Sequence, residues 1–330
     1  MNLRPRLLPL MGFVSVAAAL WGPIGSLGPS PVLGGEASDV AARANVEGGA
    51  LGASSAYLGA TLPGEGAELF APGLGSRPDR FEARIAFSSD LRECYLTETD
   101  ATFSQPKLLV AYRNESGWTE FEPVAFGSRF KVCHEPFLSS DDRKLYFTAD
   151  GDESVAGNRR DLWVVERTGT GWGEPSRLPS PLNSDAAEFY FNQSSDGTIV
   201  FASNRTGGEG DFDLYRIEKD AAGVDRAVNF GPPLSTSSPE YDPCISRDGR
   251  FIVFATARDG ARHLDLYVSF REGEKTWSEP VPLKGVNTAA NEYAPTLSPD
   301  GRYLFFVRHD GKQSDLFWMA TTELGPDRKP

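Results

Sequence analysis

A short phrase recurs along the chain with a period of about 52 residues, and this repeat restricts the fold more than any other feature. Its centre is a Ser-x-Asp turn between two apolar runs, as in EYDPCISRDGRFIVFA at 240–255 and EYAPTLSPDGRYLFFV at 292–307. The turn aspartates, separated by 51, 55, 52 and 52 residues, are Asp90, Asp141, Asp196, Asp248 and Asp300. Repeats of this length are typical of solenoids, propellers and arrays of small units.

Each period contains four strand-like segments. Between 240 and 283, an apolar run is followed by the turn, a second run that is apolar on both faces, the alternating aromatic segment LDLYVSF, and TWSEPVPL, whose prolines suit an edge strand. No segment has a long helical periodicity. Four antiparallel strands joined by tight turns form a propeller blade, so the sequence predicts an all-β fold, a five-bladed β-propeller of four-stranded antiparallel blades.

The two ends of the repeat region complement each other. The last repeat, from Glu292, supplies only three strands before Ala320, whereas AELFAPG at 67–73 resembles the outer-strand phrases of the other repeats. We therefore expect the strand at Glu68–Phe70 to complete the last blade. Such an N-terminal strand closure removes the open edge of the sheet.

Several phrases carry a resemblance to a known family: SPDGRYLFF (298–306), SSDDRKLYF (139–147), ASNRTGGEGDFDLY (202–215) and GWGEPSRL (171–178). Over residues 57–320 the chain resembles the WD40-like β-propeller repeat proteins of bacteria, the repeat type also found in TolB-type propellers. The resemblance implies export and binding, often to other proteins of the cell envelope. It also leaves a six-bladed, TolB-like propeller as an alternative to five blades.

The N-terminus has the layout of a secretory signal, with Arg4 and Arg6 before an apolar run at 7–20. We expect a signal peptide at 1–37, a flexible leader rich in Gly, Ala and Ser at 38–56, and a single propeller domain at 57–330. The protein is then a monomer in the periplasm or outside the cell, with no integral membrane segment in the mature chain. A formal net charge of −13 argues against nucleic acid as a partner.

One position of the repeat is acidic in four of the five units. The residues eight before each turn aspartate are Glu82, Cys133, Glu188, Glu240 and Glu292. They begin the inner strands, which ring one mouth of the channel in a propeller. The glutamates could bind a cation, a basic side chain or a polar ligand there. Alternatively, each could accept backbone N–H bonds from a neighbouring loop and so clamp its blade. Asp242, beside Glu240, breaks the symmetry and joins the candidate ligand-binding residues.

Two further patterns suggest local contacts. The loop at 149–161 could hold calcium through Asp150, Asp152 and Glu153, although its spacing differs from that of an EF-hand, and no other metal ligand or cofactor is predicted. An Arg near the end of each second strand could pair with the Asp that opens the third. The expected pairs are Arg205 with Asp213 and Arg258 with Asp265.

The sequence thus predicts an exported, non-catalytic binding or scaffold propeller. It would present its loops and an acidic channel mouth to a protein or to a polar or carbohydrate ligand of the cell envelope. The alternative is a glycoside hydrolase-like enzyme that uses carboxylates at the channel mouth, because such enzymes work with paired Asp or Glu residues. No G-x-S-x-G elbow is present, which argues against a nucleophilic hydrolase, and no catalytic residue is assigned.

Overall fold

The computed structural model describes residues 56–150, 160–169, 171–258 and 260–324, and these form five antiparallel sheets. The expected signal peptide, and the leader except Ala56, lie outside the described residues. Grouped by sheet, the strands are β2 (Phe81–Phe87), β3 (Glu93–Thr99), β4 (Lys107–Asn114), β5 (Gly117–Trp118) and β6 (Glu122–Pro123) in blade 1; β7 (Cys133–Leu138), β8 (Lys144–Asp150), β9 (Arg160–Thr168), β10 (Gly171–Trp172) and β11 (Ser176–Arg177) in blade 2; β12 (Glu188–Gln193), β13 (Ile199–Ser203), β14 (Asp213–Lys219) and β15 (Asp225–Asn229) in blade 3; β16 (Glu240–Ile245), β17 (Phe251–Thr256), β18 (Asp265–Phe270) and β19 (Val281–Pro282) in blade 4; and β20 (Asn291–Leu297), β21 (Tyr303–His309), β22 (Ser314–Ala320) and β1 (Glu68–Leu69) in blade 5.

The blades close into a ring around a central axis. The inner strands contact each other in the cyclic order β2, β7, β12, β16, β20 and back to β2. In blades 1 and 2 the outermost strand is divided into two short pieces that both pair with the third strand. Two short 3₁₀-helices, Ala125–Arg129 and Thr321–Glu323, complete the regular structure of the described residues. The predicted five-bladed propeller is confirmed, and with it the fold that the family resemblance implies.

The N-terminal strand completes the last blade, as the repeat count predicts. Glu68 and Leu69 pair with Trp318 and Phe317 of β22, and the Phe70 amide donates to the Leu316 carbonyl at 2.8 Å. The Phe70 ring is fully buried, with its centroid 5.0 Å from that of Trp318. Pairing and packing together leave blade 5 without an open edge.

The Ser-x-Asp turn is held by its own side chains. In blade 4, the Ser246 hydroxyl donates to Asp248 at 2.6 Å and accepts the Phe251 amide at 3.0 Å, while Asp248 accepts the Arg250 amide at 3.1 Å. Gly249 adopts a φ of 71°, in the left-handed region that glycine enters freely. In blade 1 Leu91 occupies this place with a φ of 55°, so the turn keeps its left-handed residue without a glycine.

Candidate functional site

The four ring glutamates lie at the starts of the inner strands, where the repeat predicts them, but their side chains are fully buried. Glu82, Glu188, Glu240 and Glu292 are each 0% exposed. In blades 3 to 5, one carboxylate oxygen accepts the backbone amide of the residue four positions earlier. For Glu240 this amide is that of Thr236, at 3.0 Å, and the Thr236 hydroxyl donates to the second oxygen at 2.6 Å. These are the bonds expected of blade clamps.

An arginine completes each of these three clamps. Glu188 accepts a hydrogen bond from Arg205 at 3.1 Å, and Glu240 accepts one from Arg258 at 3.0 Å. The third pair joins Arg308 to Glu292 at 2.8 Å. Antiparallel pairing brings the end of the second strand beside the start of the first, and this proximity selects the glutamate as the partner.

The predicted pairs of Arg205 with Asp213 and of Arg258 with Asp265 are therefore wrong. Asp213 instead accepts the amides of Glu209 and Gly210, so the glycine-rich turn closes on its own aspartate. A single preceding turn supplies these donors. The arginines remain available to the ring glutamates of their own blades.

The divergent blades 1 and 2 modify the clamp. Glu82 accepts a hydrogen bond from Arg80 at 2.7 Å, from before the strand rather than from the second strand. Burial raises the pKa of Glu82 to about 8 although Arg80 opposes the shift. Cys133 occupies the equivalent place in blade 2, where Asp150 accepts the neighbouring Val132 amide at 2.9 Å.

A second ring of residues lies two positions further along the inner strands, and it differs in every blade. Its members are Arg84, Glu135, Tyr190, Asp242 and Ala294. In blades 2 to 5 the register shifts across this position, and in blade 1 it shifts just before it, between Glu82 and Arg84, which is itself paired with Thr97. In blades 2 to 5 the residue at this position has a φ between 53° and 61°. Non-glycine residues rarely adopt this conformation, and bulges commonly re-aim side chains beside functional sites. We call these five residues the bulge ring.

Arg84 reaches across the axis. Its guanidinium carbon lies 5.7 Å from the centre of the Tyr190 ring, and blades 1 and 3 are not neighbours. Arg84 is only 1% exposed, yet none of its three guanidinium nitrogens forms a hydrogen bond with a described residue. A buried guanidinium without a partner is costly, because water satisfies its donors in the unfolded chain.

Glu135 is held by three protein groups. Its Oε1 lies 2.9 Å from His134 Nδ1, and its Oε2 accepts bonds from the Thr148 hydroxyl at 2.6 Å and the Tyr190 amide at 3.0 Å. Burial alone would raise the pKa of Glu135, but His134, Thr148 and Arg84 together lower it. Glu135 is thus a buried carboxylate held in its charged form.

Asp242 is only partly satisfied by the described residues. Its Oδ2 accepts the Ala294 amide at 2.8 Å, whereas its Oδ1 makes no hydrogen bond of standard geometry with a described residue. Burial, with a contribution from the Glu135 charge, raises the pKa of Asp242 to about 6, although the Ala294 amide, Arg84 and the nearby Tyr190 hydroxyl oppose this shift. Burial and Asp242 in turn raise the pKa of Tyr190. The bulge ring therefore combines an arginine whose donors have no acceptor among the described residues with a carboxylate oxygen that has only the Tyr190 hydroxyl nearby.

The opposite end of the axis is crossed by one side chain. Arg247, in the turn of blade 4, donates to the Pro299 carbonyl of blade 5 at 2.5 Å and to the Ser140 carbonyl of blade 2 at 3.3 Å. Because blades 2 and 4 are not neighbours, this side chain spans the axis beneath the bulge ring. We call the end of the channel at which the ring glutamates lie the glutamate face. The Arg247 contacts lie at the other end.

The described residues include no group of three or more His, Cys, Asp or Glu side chains arranged to hold a metal ion. Asp152 and Glu153 of the predicted calcium loop lie outside them. Within the same part of the chain, no helix is long and apolar enough to cross a membrane.

The sequence interpretation singled out Asp242 but missed the other members of the bulge ring. A signal was present: the residues six before each turn aspartate are the five members of this ring. A repeat position that varies among ionisable, aromatic and small residues is a better candidate for a site than one that is uniformly acidic, because a ligand makes different contacts with each blade.

Comparisons with known proteins identify no family for the chain. No family profile matches it, and no curated protein is significantly similar in sequence. A structure described as TolB from Agrobacterium tumefaciens shares 18% identity, covering 75% of this chain and 79% of that chain, with a TM-score of 0.48. The α-L-arabinofuranosidase of Lactobacillus brevis shares 13% over 72% and 90%, with a TM-score of 0.45. The tricorn protease shares 13% over 76% of this chain, which spans only 27% of that protease, with a TM-score of 0.43. Likeness at this level does not indicate what this chain binds or catalyses.

Proposed function

We propose that this chain is an exported, non-catalytic binding propeller that holds a polar ligand at the glutamate face of its central channel. The observation that carries the proposal is the bulge ring, in which five equivalent positions bear five different residues. Arg84 and Asp242 retain buried polar atoms without partners among the described residues. In native proteins such atoms are few, and each calls for an explanation.

In this proposal the ring glutamates support the inner strands and the bulge ring binds the ligand. The carboxylates of Glu188, Glu240 and Glu292 are occupied by donors of their own blades and hold the inner strands in place. Asp242 is a ligand-binding candidate from the sequence and also a member of the bulge ring. The proposed ligand is a polar group of the cell envelope, such as a carbohydrate or a protein side chain, and it would enter from the face opposite Arg247.

A thermal-shift screen of the purified protein against neutral oligosaccharides and polar peptides tests this function. A ligand that binds only the folded state raises the melting temperature by mass action. We expect Asp242→Asn to lose the ligand response and Glu240→Gln to keep it. Loss of the response in Glu240→Gln alone would locate the site at the ring glutamates instead. A screen in which no compound stabilises the protein would contradict the proposal.

One observation favours the hydrolase alternative. The environments of Glu135 and Asp242 shift the pKa values of the two carboxyl groups in opposite directions, as in pairs that divide acid and base roles. Binding is the better supported function because both oxygens of Glu135 are already engaged by protein groups. Hydrolysis of aryl glycosides or polysaccharides that is abolished by both Glu135→Gln and Asp242→Asn would establish the enzyme.

A further inference from the structure

We infer that Arg84 is an anion-binding residue and that the channel ligand is a hydroxylated carboxylate, such as a sugar acid. The inference rests on the proposed function and deepens it by naming the ligand class. It starts from a contrast between Arg84 and the arginines beside the ring glutamates. Arg80, Arg205, Arg258 and Arg308 each pair with a ring glutamate, whereas Arg84 forms no ion pair with a described residue.

The carboxylates nearest to Arg84 accept hydrogen bonds from other groups. Glu135 uses both oxygens on His134, Thr148 and the Tyr190 amide, and Asp242 uses one oxygen on the Ala294 amide. Their charges act on Arg84 through space without satisfying its N–H donors. A guanidinium has donors only, so what it lacks is an acceptor, and its planar fork fits a carboxylate in two-pronged geometry.

The neighbourhood also limits the charge of the ligand. Glu135 is negatively charged, and Asp242 becomes so above its pKa of about 6, so a doubly charged anion such as phosphate would be repelled more strongly than a carboxylate. Oδ1 of Asp242 has the Tyr190 hydroxyl nearby but makes no hydrogen bond of standard geometry with a described residue. A carboxylate oxygen accepts two hydrogen bonds, so it can take a further donor from a ligand hydroxyl. Tyr190, whose ring centre lies 5.7 Å from the guanidinium carbon of Arg84, offers an aromatic surface beside these groups. A sugar acid, which carries one carboxylate and several hydroxyl groups on its ring, would match all three features.

The test uses D-glucuronate as the probe, with D-glucose as its neutral counterpart and acetate as a carboxylate without hydroxyls, at matched ionic strength. We expect glucuronate to raise the melting temperature of the parent protein more than either control. Arg84→Met should weaken glucuronate binding roughly tenfold to a hundredfold, since hydrogen bonds to a charged group are lost. Isothermal titration calorimetry measures this change in Kd.

A matched substitution separates binding from folding. Arg258→Met removes an arginine that is ion-paired in its blade and should lower the melting temperature without abolishing the glucuronate response. Arg84→Met should lower the melting temperature less than Arg258→Met does, because Arg84 makes no hydrogen bond with a described residue that the substitution would break and acts on Glu135 and Asp242 only through space. Destabilisation of Arg84→Met equal to that of Arg258→Met would assign Arg84 a structural role and overturn the inference.

Three other results would also overturn it: glucuronate that does not stabilise the parent, a response that Arg84→Met retains, or acetate that is as effective as glucuronate. Stabilisation by glucose that depends on Asp242 but not on Arg84 would remove the carboxylate inference while leaving the proposed binding function intact. Failure of the inference and failure of the proposed function are therefore distinguishable.

Discussion

Arg258 donates a hydrogen bond to Glu240 across 3.0 Å, and the carboxylate that accepts it is fully buried. The glutamate begins β16 and the arginine lies two residues after β17, so both stand at the open end of one inner hairpin. Equivalent pairs join Arg205 to Glu188 and Arg308 to Glu292. The repeated phrase therefore encodes a buried electrostatic clamp as well as a pair of strands.

Replacing Glu240 with Gln should destabilise the protein by about 2 kcal/mol, because an NH₂ group replaces one of the two oxygens that accept hydrogen bonds from Thr236 and Arg258. Chemical denaturation measures the change in the free energy of unfolding. Glu122→Gln, on the exposed strand β6, is the control and should change stability by less than about 0.5 kcal/mol. Added calcium should not alter either result. A calcium-dependent rise in melting temperature that is lost in both Glu240→Gln and Glu292→Gln would make the ring a metal site.

The blades and their closure could be predicted from the sequence because they follow from local alternation and from a repeat that leaves the last unit one strand short. The position of the ring glutamates follows in the same way. The partners of Arg205 and Arg258 were mispredicted because the aspartate that opens the next strand along the chain is not the carboxylate nearest in space. The register that pairs Glu240 with Thr256 places the arginine beside the glutamate.

The bulge ring was harder to predict, for a physical reason. Left-handed backbone is usually signalled by glycine or asparagine, but here Glu135, Tyr190, Asp242 and Ala294 adopt it. The approach of Arg84 to Tyr190 depends on the diameter of a closed five-bladed ring, which no single repeat contains. Only Asp242 stood out in the sequence, as a departure from symmetry.

Closure of the ring can be tested at two adjacent residues of the N-terminal strand region. Phe70 is fully buried against Trp318 and Phe305, so Phe70→Ala should destabilise the protein by about 3–5 kcal/mol. Leu69 is 41% exposed, and Leu69→Ala should cost much less. Thermal and chemical denaturation of the two variants measure the difference. Equal stability of the two variants would show that the packing of Phe70 does not hold blade 5 together, and deletion of residues 57–74 should then also be tolerated.

The glycine-rich turn before β14 should tolerate no side chain at Gly210. A Cβ there would lie 2.8 Å from the Thr236 carbonyl oxygen and 2.9 Å from the Ser238 carbonyl oxygen, both of them backbone atoms of the neighbouring loop. Gly210→Ala should therefore destabilise the protein by about 1–3 kcal/mol. Gly169→Ala is the matched control, since a Cβ there meets no atom within 4 Å, and its effect should be neutral or slightly stabilising. A neutral Gly210→Ala in chemical denaturation would mean that the two loops are not packed as described.

The pH dependence of stability should reveal the buried carboxyl of Asp242. Burial raises its pKa from 3.8 to about 6, so the folded state binds this proton more tightly than the unfolded state does. Its contribution to stability is complete below pH 3.8 and is lost as the pH rises through 6, a change of about 3 kcal/mol. Burial also raises the pKa of Glu240, to about 7, and this group changes stability in the same direction. The difference in pH dependence between the parent and Asp242→Asn therefore isolates the contribution of Asp242.

We expect the Asn variant to lose part of the fall in unfolding free energy that the parent shows between pH 4 and pH 8. Denaturant titrations at unit intervals of pH provide the measurement. Asp141→Asn is a control of opposite sign, because hydrogen bonds from Ser139 and the Arg143 amide lower the pKa of that exposed carboxyl, whose contribution grows as the pH rises through its folded value. Parallel pH profiles for the parent and Asp242→Asn would mean that Asp242 titrates normally. The role of Asp242 as a buried, partly unpaired carboxyl group in the binding proposal would then have to be abandoned.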